Sequence, residues 1–114
     1  MRLLELTLTS PEENLALDEA LLLEVESGGP EVLRLWELPT PCVILGSSSK
    51  VQREVHEENC RLRGVPLARR SSGGLSILAG PGCLMYSLLL DLELRPHLRE
   101  IAAAHAFVLN RLVA

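Results

Sequence analysis

Aromatic side chains are nearly missing from this sequence: Trp36, Tyr86 and Phe107 are the three in 114 residues. The core must therefore be aliphatic, built on 26 leucines with Val, Ile and Ala, and the 47% apolar content excludes a disordered chain. Lysine is rarer still, with Lys50 alone, and acidic residues exceed basic ones by 15 to 11, a net charge of −4. A protein that grips a nucleic-acid backbone needs the opposite balance. No apolar run approaches the roughly eighteen residues of a membrane helix, and Glu5, Glu12 and Glu13 interrupt the leucine-rich start before a signal-peptide core can form. Neither nucleic acid nor membrane is expected as a partner, and a cytoplasmic location is expected. Cys42, Cys60 and Cys83 are odd in number and lack a close pair, which fits reduced packing thiols better than a disulfide frame or a zinc knuckle. No tightly bound metal is expected.

What is present reads as one domain, residues 1–114, without internal repeat or linker. At this length folding hides roughly two-thirds of the unfolded surface, enough for a single core. Leu4, Leu6 and Leu8 alternate with Glu5 and Thr7, which predicts a strand over residues 2–8. Ser10, Pro11 and Glu13 form a helix start in which the serine caps, proline occupies the first turn and the glutamate reaches back to the cap. That helix is expected to run to about Glu26 and to end at Ser27-Gly28-Gly29-Pro30. Val32, Arg34 and Trp36 share one side of a second strand, and Cys42 to Leu45 forms a short apolar one closed by Gly46. A charged surface helix is expected over Glu54 to Arg63 with Gly64 as its terminal glycine. Strands over Val65 to Ala68, Leu75 to Ala79 and Cys83 to Leu90 follow, then an amphipathic helix after Pro96 carrying Ile101, Ala104, Val108 and Leu112. The order implies an α+β fold with a mixed, mainly antiparallel sheet flanked by helices. The last helix has no closing Gly or Pro by Ala114, so a truncated chain is expected.

The informative stretch is Arg69-Arg70-Ser71-Ser72-Gly73-Gly74. Two guanidiniums, two hydroxyls and permissive glycines let several donors converge on one phosphate or carboxylate. A plain hairpin turn with solvated arginines explains the same six residues equally well. The spacing is neither that of a P-loop nor of a dinucleotide-binding turn. His56, His97 and His105 pair with no ligand at metal spacing, and Glu54, Glu57 and Glu58 read as a solvated helix face.

Across nearly its whole length the chain resembles the lipoate-protein ligase A family, which shares a catalytic fold with biotin-protein ligases. The resemblance is carried by Asn14-Leu15-Ala16-Leu17-Asp18-Glu19-Ala20, Leu33-Arg34-Leu35-Trp36-Glu37 and Pro41-Cys42-Val43-Ile44-Leu45-Gly46, by the arginine-serine-glycine loop, and by Gly80-Pro81-Gly82 with Tyr86-Ser87. It implies two-step chemistry: lipoate or octanoate and ATP, with Mg as co-substrate, give an acyl-adenylate, and a lysine of a lipoyl acceptor domain then attacks the mixed anhydride. The acceptor would belong to a 2-oxoacid dehydrogenase or a glycine cleavage protein. The site implied comprises Trp36 on the acyl tunnel with Gly46, Arg69, Arg70, Ser71, Ser72, Gly73, Gly74, Gly82 and Cys83 around the carboxyl and phosphoryl groups. For Trp36 an ordinary core role is the alternative.

The family pattern places a third glycine, a histidine and an amide side chain where this sequence has Leu75, Ala79 and Cys83. Its catalytic lysine lies in a later segment, whereas Lys50 belongs to an early block, so no catalytic residue is assigned and these residues alone are expected to be inactive. Three readings follow: part of a ligase completed by further sequence or a second polypeptide; an octanoyl or lipoyl transferase that uses a cysteine thiolate and no ATP, with Cys83 as its one tempting nucleophile; or a non-catalytic domain that binds an acyl group or a partner.

Overall fold

The computed structural model describes residues 1–113. Its elements in chain order are β1 (Arg2–Glu5), α1 (Pro11–Glu26), β2 (Val32–Trp36), β3 (Cys42–Leu45), α2 (Val51–Glu54), α3 (Glu57–Leu62), β4 (Leu67–Arg69), β5 (Ile77–Ala79), β6 (Met85–Leu89) and α4 (Ile101–Val113), with a 3-10 turn at Pro96–Arg99. They form two three-stranded sheets, ordered β1-β2-β6 and β4-β3-β5. Each central strand, β2 or β3, has one parallel neighbour reached through a helical crossover and one antiparallel neighbour. The fold is α+β, with mixed sheets flanked by helices.

Helix α1 starts as its sequence dictates: the Ser10 hydroxyl accepts the Glu13 backbone N–H at 3.1 Å, with Pro11 in the first turn. The Glu13 carboxylate accepts a hydrogen bond from the Ser10 hydroxyl, at 3.2 Å, rather than from the cap's backbone N–H. The helix closes where Gly28 adopts φ +93° and the Gly29 N–H bonds back to the Glu24 carbonyl at 2.9 Å. It then lays Leu17, Leu21 and Val25 on Val32 and Leu89 of the first sheet. A second cluster, Trp36, Leu38, Cys42, Ile44, Ala68 and Ala79, joins the two sheets. Each fully buried aliphatic side chain there contributes about 1.5–3 kcal/mol.

Several elements are shorter than their patterns predict, because side chains capture backbone groups that a ladder would have used. β1 stops at Glu5, before Leu8, because the Asn14 amide takes both the N–H and the carbonyl of Leu8, at 2.8 and 3.1 Å. β5 begins at Ile77, two residues after Leu75, since the Ser76 N–H donates to Glu54. The helix expected over Glu54 to Arg63 is shortened to α3, because Val55 is extended at φ −132°, ψ 135°; α2, which the pattern does not predict, precedes it and ends at Glu54. Gly64 does terminate α3, with φ +67°. β4 is shifted to Leu67–Arg69, so Arg69 pairs with Leu45 and the polar loop opens at Arg70. β6 occupies Met85–Leu89, within the Cys83 to Leu90 expectation. On α4 only part of the apolar stripe is covered: Ala104, Phe107 and Val108 are half-buried while Ile101 and Leu112 are exposed.

Candidate functional site

A cavity of about 390 Å³ lies where the two sheets meet beneath α1. Leu15 and Leu22 come from α1, Trp36 from β2, Ile44 from β3, and β6 contributes Met85 through Leu89. The wall is mostly apolar. At one side the loop after β4 adds Arg70, Ser71 and Ser72, so a greasy slot ends on a cation and two hydroxyls. Such a slot fits a molecule with an aliphatic body and an anionic head.

The loop is held in shape by its own chain. The Arg70 guanidinium donates to the carbonyls of Ile44, Gly73 and Leu75 at 3.3, 2.8 and 2.9 Å, and its backbone N–H to Leu45 at 2.9 Å. Ser47 N–H reaches the Ser72 carbonyl at 2.9 Å, and the Ser49 hydroxyl donates to Gly74 at 3.3 Å. Gly46 has no room for a side chain, because a Cβ there would stand 2.0 Å from the Gly74 carbonyl oxygen. Gly74 itself adopts φ +99°, and a Cβ on it would meet the Arg70 guanidinium at 2.8 Å.

The ten residues named from sequence thus divide. Trp36, Arg70, Ser71 and Ser72 face the cavity together. Arg69 turns aside to the carbonyls of Gly46, Ser47 and Ser49 and, with Gly46 and Gly74, builds the support beneath the loop. Gly73 is exposed, with open space around it. Gly82, at φ +86°, belongs to a turn whose N–H donates to Glu37 at 3.1 Å. Cys83 packs on the Trp36 cluster and does not line the cavity itself; its sulfur is 3.9 Å from that of Met85, which does.

The polar residues missed from sequence are Asp18, Arg34 and Ser87. Arg34 is fully buried; it donates to the carbonyls of Leu6 and Asn14 at 3.1 and 2.9 Å, to the Asn14 side chain, and to Asp18 Oδ1 at 2.7 Å. Its guanidinium lies 4.6 Å from the centre of the Trp36 ring. Trp36 Nε1 donates to Ser87 Oγ at 3.3 Å, and Ser87 Oγ donates to Asp18 Oδ2 at 2.6 Å. A closed circuit therefore fixes the indole edge and face, with Asp18, Trp36 and Ser87 on the cavity wall. The available signal was Arg34 sharing a strand face with Val32 and Trp36.

Elsewhere, burial and the nearby Glu12 charge push the Cys42 thiol up to about 11, so it stays protonated at neutral pH. Among the described residues no group of three or more His, Cys, Asp or Glu gathers to hold a metal ion. None of the described helices is long and apolar enough to cross a membrane.

The slot combines an apolar wall with one cation and two hydroxyls at one side. The profile of the lipoyl protein ligase A/B catalytic domain matches residues 10–112, and the chain belongs to that family. It is 40% identical over 92 residues to a protein of Aeropyrum pernix named as a candidate lipoate-protein ligase A, covering 81% of this chain and 34% of the relative. It is 35% identical over 92 residues to an octanoyl-[GcvH]:protein N-octanoyltransferase of Kyrpidia tusciae, covering 79% and 32%. Among solved structures, a candidate lipoate protein ligase of Thermoplasma acidophilum with bound lipoic acid superposes with TM-score 0.70 at 32% identity, covering 76% of this chain and 36% of that one. A lipoate-protein ligase A bound with ATP gives 0.69 at 32%, covering 76% and 35%. A bi-partite lipoate protein ligase with its E2 lipoyl domain, also from Thermoplasma acidophilum, gives 0.69 at 31%, covering 76% and 34%. The chain spans about a third of the length of these relatives.

Proposed function

We propose that this chain forms the acyl-binding part of an enzyme that transfers lipoyl or octanoyl groups to a lipoyl acceptor domain. The observation that carries the reading is the meeting of Trp36, Arg70, Ser71 and Ser72 on one apolar cavity. The aliphatic chain lies between α1 and the sheets, against Trp36, and the carboxylate accepts from Arg70 and the two serine hydroxyls. Each charged hydrogen bond of this kind contributes about 1.5–3 kcal/mol. During adenylation the same donors would face the mixed anhydride, where charge develops on carboxyl and phosphoryl oxygens. ATP is the co-substrate of this reading, because a solved relative binds it. Mg would arrive with the ATP phosphates, and no step is routed through it. The lysine that attacks the activated acyl group belongs to the acceptor, of the 2-oxoacid dehydrogenase or glycine cleavage type, and the reading is supported by the relative solved with its E2 lipoyl domain. We place the protein in the cytoplasm, where Cys42, Cys60 and Cys83 stay reduced.

These residues supply binding and orientation and lack a lysine at the cavity, since Lys50 sits on the exposed start of α2. Adenylation by the 114-residue chain alone is therefore expected to be absent. Calorimetry with lipoate and octanoate tests the reading: saturable binding that Arg70→Ala removes supports it, and binding unaffected by that change refutes it. The second reading, ATP-free transfer, is favoured by the likeness to an octanoyltransferase. Against Cys83 as its nucleophile stands the packing of that thiol on the Trp36 cluster, behind Met85 and not among the residues that line the cavity.

A further inference from the structure

The Arg70 to Gly74 loop is framed by two chain segments, and one carboxylate ties them together. Glu54, the last residue of α2, accepts the Ser76 backbone N–H at 2.9 Å through Oε1 and the Lys50 backbone N–H at 3.1 Å through Oε2. Lys50 closes the turn whose Ser49 hydroxyl reaches the Gly74 carbonyl. Ser76 lies just past the loop, where the chain enters β5. The bond from the Ser76 amide, ahead of the other donors, holds the Glu54 carboxyl below the ordinary carboxylate range.

We propose, resting on the acyl-carboxylate reading above, that Glu54 is a positioning residue: by joining the Lys50 and Ser76 amides it fixes the Arg70 to Gly74 loop in the shape that grips the acyl carboxylate. Glu54 is not on the cavity wall, so it acts through the loop rather than on the ligand.

Electrostatics makes the role testable, because two mechanisms have opposite signs. A carboxylate near an anion site repels the incoming anion, so its removal on Coulombic grounds alone tightens binding. Positioning demands that removal weaken it.

The test titrates the wild-type chain, Glu54→Ala and Glu54→Gln with octanoate and with uncharged octanamide by calorimetry, alongside hydrogen exchange of the Ser76 amide and thermal unfolding. In Glu54→Ala, octanoate binding is expected to weaken about ten-fold while octanamide binding stays within about two-fold, and the Ser76 amide exchanges faster. Glu54→Gln has lost the same charge but keeps one carbonyl acceptor, for one of the two amides, and is expected to bind octanoate more tightly than Glu54→Ala and less tightly than wild type. Equal or tighter octanoate binding by Glu54→Ala overturns the positioning role alone. Parallel loss for both ligands with a lowered melting temperature also overturns it, leaving Glu54 a residue of general stability. Failure of the wild-type chain to bind octanoate overturns the acyl-carboxylate reading itself and this inference with it.

Discussion

Arg34 and Arg70 are both anchored by their own chain, yet their charges have different fates. Arg34 is sealed from solvent and faces Asp18, so its cation is neutralised within the fold. Arg70 bonds only to carbonyls, has no carboxylate partner among the described ion pairs, and stands on the cavity wall. Carbonyl oxygens orient a guanidinium without cancelling its charge. One arginine is thus an element of construction and the other a rigidly aimed positive charge.

Breaking the first should cost most. Arg34→Met leaves the Asp18 carboxylate and the Asn14 oxygens without their donor, and we expect a loss of about 3–5 kcal/mol in urea unfolding. Arg70→Ala, which takes the donor from three carbonyls, should lower the urea midpoint less than Arg34→Met does, while lipoate or octanoate affinity by calorimetry falls ten- to a hundred-fold, the worth of about 1.5–3 kcal/mol. An Arg70 variant that unfolds as readily as the Arg34 variant would erase the contrast. A third arginine sharpens it. Arg95 binds the buried Glu31 with two hydrogen bonds, at 2.9 and 3.1 Å, and this contact, more than the Asp91 amide, holds the Glu31 carboxyl below the usual range. A depressed carboxyl stabilises the fold fully above its unfolded value, and that contribution is lost as pH falls through the folded one. Wild-type stability followed from pH 7 down to 3 should show this acid loss, and Arg95→Ala should flatten that part of the profile. The smallest effect is expected for Ser87→Ala, which leaves Trp36 Nε1 without its acceptor at a cost of about 1 kcal/mol. Unfolding of Ser87→Thr, which keeps the hydroxyl, should match wild type.

Local signals were readable from residue order. The Ser10 cap, the Gly28 and Gly64 terminators and the face shared by Val32, Arg34 and Trp36 all rest on neighbours a few positions apart. What was not readable came from side chains that reach across the fold. Ser87 and Asp18 are 69 residues apart, and Glu54 and Ser76 are 22 apart; no periodicity encodes such meetings. The same limit applies to the loop. Its composition suited an anion site or a plain hairpin turn equally, and only the folded backbone separates Arg70, which faces the cavity, from Arg69, which pairs in β4 and braces the neighbouring turn.

Because the sole tryptophan of the chain is also a wall of the cavity, the molecule carries a built-in optical reporter. Intrinsic emission excited near the red edge of protein absorbance arises from that indole alone. An aliphatic guest lodged there would change the polarity around the ring directly, so its occupancy would be followed in real time without dye or label.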